Sequence, residues 1–130
     1  MERIVVDGMN VIGSRPTGWW RDRRAAARDL VGRLQRLAAA TGDEVTVVLD
    51  GRPQPDLPEG EHAGVRLLYA HRAGPDGADE RIVSLVADEP EPWSIRVFTS
   101  DRGLRREAEQ LGAAVEGASV LLARLDRVVG

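Results

Sequence analysis

Ile4-Val5-Val6-Asp7-Gly8-Met9-Asn10 opens as an unbroken apolar run, stops at an aspartate and turns at a glycine, and related patterns return in Val47-Val48-Leu49-Asp50-Gly51 and Val97-Phe98-Thr99-Ser100-Asp101. Short continuous apolar runs suit strands buried on both faces, as in a parallel sheet covered by helices. Parallel strands of an open α/β sheet end on a shared edge, and ligands bind in the crevice beyond it. Asp7, Asp50 and Asp101 are therefore expected to gather in one crevice.

Working outward, Val65 to Ala70 and Ala113 to Glu116 read as further strands, with helical patterns between the runs. Arg23 to Ala40 sets Ala27, Leu30, Val31, Leu34, Leu37 and Ala38 at i, i+3, i+4, i+7 spacing, with Asp22 as N-cap and Gly42 as stop. A second helix is predicted over Gly77 to Ala87, capped by Asp76 and ended by Pro90, and a third over Leu104 to Leu111. A last helix follows Ser119 as N-cap, with Leu121, Leu122, Leu125 and Val128 on one side. Gly13 to Trp20 and Arg52 to Gly64 read as loops that border the crevice. Strands alternating with helices imply right-handed crossovers and a mainly parallel sheet of four to five strands, in one α/β domain over residues 1–130.

Composition removes several chemistries. The chain has no Cys, which excludes a disulfide framework, a zinc finger and a thiol nucleophile. All 18 basic residues are Arg, so there is no P-loop lysine and no Schiff-base lysine. A net charge of −3 argues against coating nucleic acid through bulk positive charge. Met1-Glu2-Arg3 leads straight into an apolar run, and no stretch approaches the length of a membrane span, so a cytoplasmic protein is expected.

Each acid has an ordinary alternative: Asp7-Gly8 and Asp50-Gly51 as turns, Asp101 as a helix N-cap, Asp76 and Glu80 as cap and solvated charge. Asp79 differs, because it lies three residues before Ile82 and four before Val83, on the side of its helix that faces the sheet. Two carboxylates about 5 Å apart repel by roughly 3 kcal/mol at an effective dielectric near 20. A convergent set therefore calls for a hard cation, and with oxygen donors only, Mg²⁺ or Mn²⁺ fits. His71 and His62 have no partner in sequence and read as incidental.

Together with Gly77-Ala78-Asp79-Glu80-Arg81-Ile82, these motifs resemble, in order and spacing over nearly the whole chain, those of the YacP-like NYN domain family, which belongs with the PIN-like nucleases. The resemblance implies a three-layer Rossmann-like PIN/NYN fold, a divalent-metal site, and endoribonuclease activity linked to RNA turnover and the ribosome. It implies a catalytic set of Asp7, Asn10, Asp79 and Asp101, in which the three acids hold metal, Asn10 orients a ligand or water, and Asp50 completes or borders the pocket. Beside it, Arg15, Trp19, Trp20, Arg21 and Arg24 offer stacking and phosphate contacts to single-stranded RNA, with one of the two tryptophans expected to close the core instead.

The leading expectation is a metal-dependent endoribonuclease that hydrolyses RNA phosphodiester bonds through a carboxylate-bound Mg²⁺ or Mn²⁺ and an activated water, as a monomer or weak homodimer. The rivals are an RNA- or ribosome-binding module with a vestigial or conditionally active pocket, and a small-molecule phosphohydrolase using the same carboxylates.

Overall fold

β1 (Arg3–Asp7) lies inside the sheet, paired in parallel with β2 (Glu44–Leu49) on one side and β5 (Ile95–Phe98) on the other. β4 (Val65–Tyr69) extends the parallel array beyond β2, and β6 (Ala114–Glu116) extends it beyond β5. The structure, a computed structural model, describes residues 2–70 and 77–128. His71 and Asp76 fall outside the described residues.

The sheet has six strands in the order β3-β4-β2-β1-β5-β6, one more than the sequence suggests. The addition is β3 (Gly60–His62), which runs antiparallel to β4 at the edge. Ala63 and Gly64 join the two strands with φ of 47° and 90°, a two-residue turn whose positive φ values match the strand twist. Gly60, Glu61 and His62 include no apolar side chain whose alternation could be read, which is why the segment passes for loop. Short, charged edge strands also blunt further pairing.

Side-chain alternation splits the core into two layers. Ile4, Val6, Val47, Leu49, Leu67 and Phe98 face α1 (Gly8–Gly13), α2 (Arg23–Thr41) and α5 (Ala118–Arg127). Val5, Val48, Leu68 and Val97 face α3 (Gly77–Ala87) and α4 (Arg102–Gln110). Helices on both faces of a parallel sheet explain why its strands read as unbroken apolar runs. Among the described residues, no helix is long and apolar enough to cross a membrane.

Local signals set most helix ends. Asp22 accepts the Ala25 N–H at 3.0 Å, and Gly42 ends α2 at φ 73°. α5 corrects the sequence: Gly117, not Ser119, is its N-cap, and the Ala118 N–H donates instead to Ser100 Oγ at 2.9 Å. A hydroxyl 18 residues away replaces the local cap. The turn expected after Asp7 is the six-residue α1. Gly8 there serves close approach rather than a left-handed turn, since a Cβ would lie 2.5 Å from Leu49 Cδ2 and 3.0 Å from the Val48 carbonyl oxygen.

Candidate active site

Asp7 ends β1 opposite Val48 of β2, and Asp50 and Asp101 follow the neighbouring strands, so the register places the three at one edge of the sheet. Asp7 is only 5 % exposed. It occupies the N-cap position of α1, yet its side chain does not cap that helix. Instead Asp7 Oδ2 accepts the Thr99 hydroxyl at 2.8 Å. Thr99 Oγ1 in turn accepts the Asp101 N–H at 3.1 Å, and Asp101 Oδ1 accepts the Leu104 N–H at 2.9 Å. Asp101 is thus a helix cap and a member of the acidic edge at once.

Asn10 reaches across from α1, its Oδ1 accepting the Ser100 N–H at 2.8 Å. With the Thr99 contact, this fixes the end of β1 to the end of β5 at two points. Thr99, fully buried, is the positioning residue that motif reading passes over; its one signal in sequence is a hydroxyl between an apolar strand and an acid.

Burial pushes the Asp7 carboxyl up from 3.8 to about 6; the Thr99 hydroxyl opposes the shift, and the charges of Asp50 and Asp101 add to it. Asp50 is raised as well, chiefly by burial, against the pull of the Ala78 N–H and the Arg23 guanidinium. Its Oδ1 is buried without a hydrogen-bond partner among the described residues, as is Oε1 of Gln54. Both residues line a pocket of about 90 Å³ with Met9, Arg23, Ala27, Leu49 and Tyr69. Gln54 is a neighbour of the site that the sequence does not single out, and Arg23 comes to it from the arginine cluster after Trp20.

Asp79 is half-buried on the first turn of α3, next to Ala78, whose N–H bears on Asp50. It lines a surface depression between α3 and α4 with Glu80, Val83, Ser84 and Glu107. The acidic neighbours that raise Asp7 are Asp50 and Asp101. Among the described residues, no three Asp, Glu or His side chains close on a common point as one ion would require.

The arginine and tryptophan loop divides. Trp19 is half-buried, near Gly13 and outside the core, with the Arg23 guanidinium 5.2 Å from its ring centroid. Trp20 meets it edge-on at 6.0 Å and remains 55 % exposed. Arg15 holds Asp126 through two contacts of 3.2 and 2.7 Å, and Arg33 holds the same carboxylate at 2.6 Å, pulling Asp126 down to about 2. Arg21 and Arg24 are exposed and pair with no carboxylate among the described residues.

The model of the YacP-like NYN domain matches residues 4–129. A crystal structure of Rae1 (YacP) from Bacillus subtilis, the W164L mutant, superposes with a TM-score of 0.75 at 26 % identity, covering 98 % of this chain and 77 % of that one. A second Rae1 (YacP) crystal structure from Bacillus subtilis gives 0.72 at 27 % identity, covering 98 % and 75 %. No curated protein matches the chain. A mainly parallel sheet with three strands ending at acids, a family match over almost every residue and a shared nuclease-type fold agree: this chain belongs to the YacP-like NYN domain family.

Proposed function

We propose that this protein is a divalent-metal-dependent endoribonuclease whose chemistry is centred on Asp7. The observation that carries the reading is a buried Asp7 carboxyl at the sheet edge where Asp50 and Asp101 also follow their strands, in a nuclease-type fold; burial pushes it up to about 6. Perturbed carboxyl groups in a crevice cluster at functional sites, and Asp7 is one in addition to tying β1 to Thr99.

The donor set fits a hard cation: every candidate group is a carboxylate or amide oxygen, and Asp50 Oδ1 is buried without a partner. Asp7 and Asp50 would hold Mg²⁺ or Mn²⁺, with Asp101 and Asp79 contributing from α4 and α3. When bound, such a cation offsets the repulsion of the acids, acidifies water and stabilises charge on a phosphodiester in transit. Thr99 fixes the rotamer of Asp7 through its hydroxyl, and Asn10, its Oδ1 engaged by Ser100, presents its amide nitrogen to a phosphate oxygen. RNA is the substrate class: Trp20 and Arg21 form an exposed aromatic and cationic rim beside the pocket lined by Arg23.

Purified protein incubated with single-stranded RNAs and Mn²⁺ should cut internally, with the activity removed by EDTA and by Asp7→Asn. Equal cutting by the variant overturns the mechanism. The absence of a three-acid convergence among the described residues favours a second reading, an RNA- or ribosome-binding module whose pocket is inactive in the free protein. Mn²⁺ titration separates the two, because the module shows no saturable Mn²⁺ binding and binds RNA equally with and without chelator.

A further inference from the structure

We infer that one flank of α4 is a phosphate-binding track that carries single-stranded RNA away from the acidic edge. This rests on RNA being the substrate and adds where the strand lies. Arg102, Arg105 and Arg106 line a shallow groove of about 550 Å³ with Glu109 and Gln110. Spacings of three and four residues from Arg102 put them on one face of the helix, with Cβ atoms about 5–6 Å apart. Glu107, on the same helix, lines the separate depression with Asp79 and Glu80. The arginine flank therefore carries three guanidinium groups against one carboxylate, Glu109, and is net positive.

Two further observations give the flank a direction and a partner. α4 starts immediately after Asp101, and Arg105 is near Ser100: an added Cβ at Gly117 would lie 3.5 Å from Ser100 Oγ and 3.8 Å from Arg105 Nη1. Ser100 is the residue whose N–H Asn10 holds. The row thus begins at the rim of the site and leads away from it. Ion pairs engage Arg3, Arg15, Arg28, Arg33, Arg81, Arg96 and Arg124, whereas among the described residues Arg102, Arg105 and Arg106 pair with no carboxylate. Three guanidinium groups that share a groove with the single carboxylate of Glu109 and form no ion pair with it, in a chain of net charge −3, are suited to phosphate.

The test is binding of a fluorescein-labelled, unstructured RNA in EDTA across a range of KCl concentrations, comparing wild type with Arg102→Gln/Arg105→Gln/Arg106→Gln. Gln keeps helix propensity, circular dichroism checks the fold, and Arg105→Gln alone serves as a milder variant. Arg36→Gln, exposed on α2, controls for net charge. The triple variant should raise Kd about tenfold or more and flatten the slope of log K against log salt by about 2, at about 0.7 per phosphate contact on a single strand. In cleavage assays with Mn²⁺ the loss should fall on KM rather than kcat. An unchanged Kd and slope in a folded triple variant overturns the track and leaves the arginines to an acidic protein surface, whether or not wild type cuts RNA. A wild type that binds through these arginines but never cleaves supports the track and removes the nuclease reading.

Discussion

At the amino end of the sheet, Arg3 meets Glu89 at 2.8 Å and Glu44 at 3.1 Å, while on the adjoining flank Arg96 meets Glu2 at 3.1 Å and Glu116 at 2.9 Å, and Arg124 takes the other oxygen of Glu2 at 2.7 Å. At the carboxyl end, Asp7, Asp50 and Asp101 meet mainly hydroxyl and backbone N–H donors, with Arg23 the cation that bears on Asp50. The consequences are opposite: Glu89 is held below its ordinary range by the Arg3 side chain, whereas burial lifts Asp7 to about 6. The amino end also has the larger concavity, about 240 Å³ against about 90 Å³ beside Asp50, but among its lining charges Arg3, Glu44 and Glu89 pair with one another and Glu61, Arg66 and Asp88 are exposed to solvent. Size does not set the two ends apart. A buried carboxyl whose charge is opposed does, and it lies at the carboxyl end.

The largest effect that can break this contrast is on cleavage. Asp50→Asn should lower the rate by on the order of 100-fold, the scale of losing one preorganised electrostatic contact. Glu44→Gln at the opposite end should leave it within about twofold. Equal losses from both would mean that the difference between the ends has no functional meaning.

Stability against pH sharpens the comparison next. Between 3.8 and about 6 the folded chain retains a proton on Asp7 that the unfolded chain has released, so this group's contribution is fully present below pH 3.8 and lost as pH rises through about 6. Asp7→Asn cannot ionise. In urea melts at pH 7 it should be more stable than wild type, by at most about 3 kcal/mol. The gain should vanish near pH 4. A variant no more stable at pH 7 would show that the carboxylate is not opposed. Mn²⁺ should stabilise wild type at pH 7 and leave the variant unchanged.

Smaller effects test the supports. Gly8→Ala forces a methyl group to within 2.5 Å of Leu49 Cδ2 and should cost about 1–3 kcal/mol in thermal or urea melts. Arg3→Gln removes ion pairs that are partly exposed and should cost less than about 1 kcal/mol, an effect that shrinks further in high salt. A larger cost would make the amino end a stability centre rather than a neutralised surface.

Much of the fold is legible before any tertiary contact is known. The apolar runs ending at Asp7, Asp50 and Asp101 mark β1, β2 and β5, and the bounds of α3 agree with the pattern from Gly77 to Ala87. Those signals are local, because burial on one or both faces imposes a period that a short window records. β3 escapes because pairing to β4, not its own three residues, makes it a strand. Nothing near Arg15 in the sequence signals its pairing with Asp126, 111 residues further on.

The sequence by itself determined that this is a mainly parallel α/β chain with acids at the ends of its strands, since strand burial, helix caps and chain order are written within windows of a few residues. Tertiary structure alone decided that the Thr99 hydroxyl holds Asp7 across 92 residues, that Ser100 caps α5, and that Arg23 bears on Asp50. Hydrogen bonds and fields act through space at a few ångströms, and separation along the chain leaves them no local trace.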